Sequence, residues 1–402
     1  MGVERAGFQV VGCVEADRDC RGTLAANRPW RLLSPGDIHA HRPSDILSSL
    51  SLARGDATLL IGGPPCQPFS KSGQWKNGQP RRMKDPRAET LRAYMRVLDA
   101  ALPEAMLLEN VKGIVATRAH VTHRYEALDV LRGELRRINR RHGTAYEPVP
   151  IVVDAAEHGV AQHRERVFVY AARDGSGLTA PAPICGPVAR AANGHSAIRR
   201  FATAWDAIGD LDDPEFDPAL QPLGRWGALL ASIPEGCNYQ HHTSRGNGEP
   251  LFGWRTRYWS FLLKLAKDRP SWTIQAQAGS ATGPFHWRSR QLATRELARL
   301  QAFPDDWKIV GSPTSSRRQL GNAVPPPIGE LLGLEIRRQL LGQRPRRKAS
   351  LIPALRDDRP PAEPVAAVPD TFLALCGQQD DHPGPGRGPG ARRLKALALE
   401  SS

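Results

Sequence analysis

The chain has 402 residues, of which 40% are hydrophobic and 24% charged, with a formal net charge of +14. This suits a packed, soluble protein of two or three domains and excludes a mostly disordered chain. No run reaches the ~18 apolar residues of a membrane helix. The opening MGVERAGFQVVG lacks the basic-then-apolar order of a signal peptide, so a cytoplasmic protein is expected.

The charge favours an anionic partner, nucleic acid first. It is spread as +7 over residues 1–173, zero over 174–272, +4 over 273–343 and +3 over 344–402, so it is not confined to a basic tail. The six cysteines (Cys13, Cys20, Cys66, Cys185, Cys237 and Cys376) form no CxxC or zinc-ligand spacing, and no metal is expected. His241 and His242 are read as loop residues.

In chain order, residues 8–16 form a β-branched apolar run ending at an acid. Further apolar runs follow at 57–61, 105–108, 149–153 and 167–172. Helical patterning occupies 88–100 and 124–141. Short strands alternating with helices predict an α/β fold with a largely parallel sheet. Residues 174–272 are rich in Gly and Pro and hold Trp205, Trp226, Trp254, Trp259 and Trp272. They read as a smaller domain of irregular and short β structure, with Trp254 and Trp259 expected in its core. Helical patterning returns at 293–302 and 327–341. The Pro-, Gly- and Asp-rich segment 344–402 is expected to be disordered over most of its length, with a short helix at 391–399.

In an open α/β sheet, ligands bind beyond the carboxyl ends of strands. Glu15, Asp37, Cys66 and the pair Glu109–Asn110 all fall at such ends. Cys66 lies in Gly62-Gly63-Pro64-Pro65-Cys66-Gln67-Pro68-Phe69-Ser70, where three prolines fix the backbone and two glycines allow close approach. A rigid loop of this kind suits a cysteine nucleophile.

These residues resemble the DNA (cytosine-5)-methyltransferase family. GGPPCQPFS at 62–70 resembles its nucleophile loop, and Leu108-Glu109-Asn110-Val111 its ENV element. Gln162-His163-Arg164-Glu165-Arg166 resembles its QxRxR element, and 294–301 its late helix. Gln319-Leu320-Gly321-Asn322-Ala323-Val324-Pro325 resembles its closing motif. The order is the family's, and the resemblance spans about residues 1–341. It implies a Rossmann-like, S-adenosylmethionine-dependent methyltransferase domain at 1–173, a target-recognition domain at 174–272 and a return to the catalytic domain at 273–343.

The resemblance also implies roles. Cys66 attacks carbon 6 of a flipped-out cytosine, Glu109 protonates ring N3, and Arg164 and Arg166 hold the base and the surrounding acids. Glu15, Asp37, Pro64, Asn322 and Ala323 lie near S-adenosylmethionine. The basic, core-poor segment 71–87, with Arg81, Arg82 and Lys84, reads as a loop closing over DNA. Arg245, Arg255 and Arg257, interleaved with aromatics, are candidate base readers. Duplex DNA is the expected partner, with a cognate restriction endonuclease acting on the same site, and a monomer is expected.

One family element is absent from residues 1–402: the strand and Gly-rich DxFxGxGG loop that wraps the methionine part of the cofactor. Weak cofactor binding by the chain as written is therefore expected. A non-catalytic DNA-binding relative and a tRNA-directed methyltransferase stay open as alternatives.

Overall fold

In the computed structural model, residues 1–64, 89–111, 126–187, 199–222, 224–255, 258–343 and 349–378 are described. The chain divides into two compact units. One comprises Met1–Phe201, Ala302–Ser316 and Val324–Ile352, and the other Ala202–Gln301, Arg317–Ala323 and the chain from Pro353 onward. Residues 174–201, expected with the smaller domain, thus belong to the first unit. Residues 273–301, expected to return to the catalytic domain, belong to the second.

The first unit is built on a four-stranded sheet, with β1 at Leu59–Gly62, β2 at Ala105–Asn110, β3 at Val149–Asp154 and β4 at Glu165–Ala172. The order is β1-β2-β4-β3. Strand alternation sorts its side chains into two layers. Met106 and Leu108 of β2, with Val167, Val169 and Ala171 of β4, face one side. There they bury against Leu91, Tyr94, Met95 and Leu98 of the helix Glu89–Ala101 and against Leu131, Leu135 and Ile138 of the helix Glu126–His142. Ala105 and Leu107, with Phe168, Tyr170 and Ala172, face the other side and meet Ile328, Leu332 and Ile336 of the helix Pro326–Gln339. Truncating one of these buried leucines to alanine costs about 2–5 kcal/mol.

The sheet is mixed, which corrects the expectation of a largely parallel one. β1 and β2 are parallel, whereas β4 runs antiparallel to both β2 and β3. The short link between β3 and β4 is the reason. It holds one 3-10 turn, Ala155–His158, and parallel neighbours need a crossover of about a dozen residues or more.

The expected first strand, 8–16, forms no ladder among the described residues. It contributes one isolated parallel bridge, Cys13 to Leu32, in which the Cys13 N–H donates to the Arg31 carbonyl and the Leu33 N–H to the Cys13 carbonyl, both at 2.9 Å. Phe8 and Leu59 pack against one core cluster, and Val14 and Leu60 against another. The 8–14 segment and β1 therefore border the same two layers, yet among the described residues β1 is an edge strand whose one ladder partner is β2. Val11 and Ile61 are both exposed.

The second unit has little regular structure. Its core gathers Leu229, Leu230, Ile233, Tyr239, Leu251, Phe252, Leu262, Phe285 and Phe372. Irregular buried backbone needs side-chain partners, and buried charged residues supply them. Lys264 Nζ donates to the Ile233 carbonyl at 2.8 Å, and burial lowers its amine to about 8. Lys267 pairs with Glu235 at 3.1 Å and Glu363 at 2.7 Å. Arg290 grips Glu296 through two bonds of 2.8 and 2.7 Å. His242 is buried, with Nε2 2.9 Å from Ser232 Oγ.

The C-terminal segment departs from the expected disorder over 349–378. In the first unit, Ser350 donates to the Glu330 carboxylate through both its N–H and its hydroxyl, at 2.9 Å each. In the second unit, Trp205 Nε1 donates to Asp358 at 2.9 Å. The Glu363 N–H donates to Glu235 at 2.9 Å, and Phe372 stacks on Trp226 with centroids 5.8 Å apart. Composition counted few large apolar residues here, but one buried Phe and a series of ion pairs and backbone bonds suffice to hold the strap. The short helix expected at 391–399 lies outside the described residues.

Candidate active site

The carboxyl ends of β1 and β2 carry the residues singled out in GGPP and ENV. Gly62 ends β1, and a Cβ there would come within 2.5 Å of the Tyr94 ring, so the strand end tolerates no side chain. Tyr94 Oη also donates to the Leu60 carbonyl at 3.1 Å, fixing β1 against the helix beneath it. Asn110 is fully buried. Its Nδ2 donates to the Pro64 carbonyl at 3.3 Å, and its Oδ1 accepts the Val111 N–H at 2.9 Å. One amide thus ties Pro64 to the end of β2. A Cβ on Gly63 would lie 3.5 Å from Glu109 Oε2, which places Gly63 beside the Glu109 carboxylate. Cys66, two residues beyond Pro64, lies outside the described residues.

The antiparallel β4 brings the arginines to Glu109. Glu109 is the Cα partner of Phe168, and Arg166 sits two residues earlier on the same face. Arg166 Nε lies 3.0 Å from Glu109 Oε1, with both side chains largely buried. Burial pushes the Glu109 carboxyl above its ordinary value, opposed by the charges of Arg166 and Arg164. Burial thus favours the protonated carboxyl, and the two arginines favour the carboxylate.

Arg164 is buried and positioned through its backbone. Its N–H donates to Asp154 Oδ1 at 2.8 Å, and its carbonyl accepts the Ala155 N–H at 3.1 Å. Asp154 Oδ2 is 2.9 Å from His163 Nδ1. The hydrogen bond to Asp154 raises the His163 pKa, and Asp154 is correspondingly held low, its carboxylate favoured by His163 and two backbone N–H groups despite burial. Neither Asp154 nor this pair was singled out from sequence. The signal available was an acid closing strand 149–154, ten residues before the arginine it holds.

Glu15 and Asp37 come together as a second group. The Arg21 guanidinium donates to the Glu15 carbonyl at 3.2 Å and the Leu33 carbonyl at 2.8 Å. A Cβ on Gly36 would approach the Glu15 carbonyl to 2.1 Å, so the two turns after the Cys13–Leu32 bridge touch through glycine. The Glu15 carboxylate accepts the Asp17 N–H at 2.8 Å. Asp37 is exposed and caps a 3-10 turn through the His39 N–H at 2.9 Å. This pair fits the nucleoside half of a cofactor: two acids at the ends of adjacent extended segments, each with a further oxygen to offer ribose or adenine donors.

Asn322 and Ala323 belong to the second unit. They end the helix Pro313–Asn322, where the Ala323 N–H donates to the Gln319 carbonyl at 3.0 Å and Gln301 Nε2 donates to the Leu320 carbonyl. Of the candidate DNA contacts, Arg245 lies over the Trp254 ring at 4.0 Å, and the Arg255 backbone is clamped by Tyr239. Arg81, Arg82, Lys84 and Arg257 lie outside the described residues. Trp259, expected in the core, is exposed.

These features are those of a cytosine-modifying methyltransferase fold, and comparison with known proteins agrees. The model of the C-5 cytosine-specific DNA methylase family matches residues 1–338, and the chain belongs to that family. It is 37% identical to the Type II methyltransferase M.SacI of Streptomyces achromogenes, over 83% of this chain and 85% of that protein. It is 30% identical to the Type II methyltransferase M.NgoFVII of Neisseria gonorrhoeae, over 72% and 71% of the two chains. Among solved structures, the Dnmt2 methyltransferase of S. pombe superimposes with a TM-score of 0.52 at 16% identity, covering 85% of this chain and 94% of that one. At that identity the likeness speaks for the fold alone.

Proposed function

We propose that this protein transfers a methyl group from S-adenosylmethionine to carbon 5 of a flipped-out cytosine in duplex DNA, through a covalent bond to Cys66. The observation that carries this reading is the largely buried Glu109–Arg166 pair, 3.0 Å apart, at a strand end that Asn110 ties to Pro64.

Carbon 5 of cytosine is a poor nucleophile. Addition of the Cys66 thiolate to carbon 6 turns the ring into an enamine and places electron density on carbon 5. Negative charge develops at N3 as the bond forms, and Glu109, its carboxyl raised by burial, donates a proton there. Arg166 holds the Glu109 carboxylate in place, and Arg164 supplies positive charge beside the base. S-adenosylmethionine supplies a methyl group at an electrophilic sulfonium when bound; Glu15 and Asp37 would hold its nucleoside, with Pro64, Asn322 and Ala323 assigned nearby by family resemblance. A base then takes the carbon 5 proton, the N3 proton returns to Glu109, and the thiolate leaves carbon 6. The base reaches such a site only by leaving the stack, which costs a few kcal/mol. The basic segment 71–87 is assigned to close over the DNA, and sequence choice is assigned to about 174–272, with Arg245, Arg255 and Arg257 as base readers.

The relatives named as Type II methyltransferases support a place in restriction–modification, with an endonuclease of the same target as functional partner; a monomer acting on DNA in the cytoplasm suffices for this chemistry. Bisulfite sequencing of DNA from a host expressing the chain tests the reading: protected cytosines at one recurring sequence are expected, and their absence with folded protein present overturns it. A non-catalytic DNA-binding relative is the second reading, favoured by the singly bonded edge of β1. It predicts DNA binding with no protected cytosine.

A further inference from the structure

Tryptophan is the side chain with most to gain from burial, yet the second unit leaves two in solvent beside each other. Trp259 is 41% exposed and Trp272 45%. Their rings meet at 5.7 Å between centroids, tilted by 58°. Tyr258, next to Trp259, is 61% exposed. These are the exposed large aromatic residues among the described ones.

The backbone that presents them is held firmly. Asn238 Nδ2 donates to the Trp259 carbonyl at 2.6 Å. Four residues earlier, the Arg255 carbonyl accepts from Tyr239 Oη at 2.9 Å and Gln240 Nε2 at 3.2 Å, and the Arg255 N–H donates back to Tyr239 Oη at 3.0 Å. Three consecutive residues, 238–240, therefore hold the backbone at Arg255 and at Trp259. On the other side, Trp272 projects from a stretch whose Ser271 and Ile274 are fully buried. Rings fixed on such a frame lose little further entropy on binding.

Charge says what they would meet. No Asp or Glu occurs between residues 250 and 263, a stretch in which Arg255 and Arg257 precede Trp259, whereas near Trp272 Arg269 is paired with Asp268. An aromatic surface beside a stretch of arginines without acids matches a polyanion whose building blocks have flat faces. We infer that Trp259 and Trp272 form an aromatic contact surface for DNA, against which a base or deoxyribose of the bound duplex packs. The inference rests on the DNA reading above. Such rings add affinity without charge, so their contribution is independent of salt, unlike that of the arginines.

The test uses the full chain and a duplex pool randomised at its centre, with 5-iododeoxyuridine in place of thymine. The double variant Trp259→Ala/Trp272→Ala is expected to bind at least tenfold more weakly, with the slope of log affinity against log salt unchanged. Trp259→Phe/Trp272→Phe should recover most of that loss. Irradiation of the wild-type complex should give crosslinked peptides containing Trp259 or Trp272. If the alanine variant keeps the wild-type melting temperature and binds within twofold of wild type, the proposal is wrong while the DNA reading stands. If that variant does not fold, the crosslinks decide, and adducts confined to other residues overturn the proposal. If the wild-type chain binds no duplex DNA even at low salt, the DNA reading itself falls, and this inference with it.

Discussion

The strand ends of the first unit and the aromatic surface of the second solve the same problem, holding a side chain still, by different means. Glu109 and Arg166 ride on ladder-paired strands, and their meeting follows from register. Trp259 and Arg245 ride on irregular backbone fixed one bond at a time by Asn238, Tyr239 and Thr243. Hydrogen bonds in a ladder are shared and cooperative, so a site built on them resists local change. Bonds from single side chains can be replaced one by one without disturbing a ladder. On the proposed function, the contrast puts proton transfer where geometry is most constrained and recognition on backbone fixed residue by residue.

The comparison can be broken or sharpened by measurement. The largest effect is expected at Cys66, the proposed nucleophile: Cys66→Ser should abolish the denaturation-resistant adduct with DNA containing 5-fluorocytosine, and an adduct that persists would remove Cys66 from the chemistry.

Glu109→Gln should lower kcat by about a hundredfold or more, the range of a positioned acid, with little change in DNA affinity. The pH profile carries the sign. On the proposed mechanism Glu109 acts protonated, and its pKa is raised, so wild-type activity should fall as pH rises through that raised value. The glutamine variant should lose this limb.

In the second unit, Phe372→Ala should destabilise by about 3 kcal/mol, as for a buried aromatic cut to alanine. It should leave the environment of the first unit's tryptophans, read by fluorescence, as in wild type; a two-unit collapse would show that the strap serves the whole chain. Smallest is the expected effect of neutralising Arg81, Arg82 and Lys84 together. It should weaken DNA binding in a salt-dependent way and reduce the salt slope by up to about 2.7, at ~0.9 per phosphate contact. A drop in melting temperature with unchanged binding would make that segment structural instead.

Much was legible in the sequence because its signals are local. The helices at Glu89–Ala101 and Glu126–His142 and the strand Val149–Asp154 lie within one or two residues of the pattern that predicts them, since periodicity and turn residues act over a few positions. The GGPP, ENV and QxRxR residues were visible for the same reason, each a short run of unusual composition at a strand end. By itself the sequence determined the α/β class, the two-part organisation and the residue types available for the chemistry. Only the tertiary structure decided that β4 runs antiparallel, because strand direction depends on which neighbours pair and not on any residue's preference. Only that reversal places Arg166 on Glu109. Likewise, burial is a property of the surroundings. Composition could not tell that Trp259 stands in solvent while Phe372, in a segment reading as disordered, completes a core.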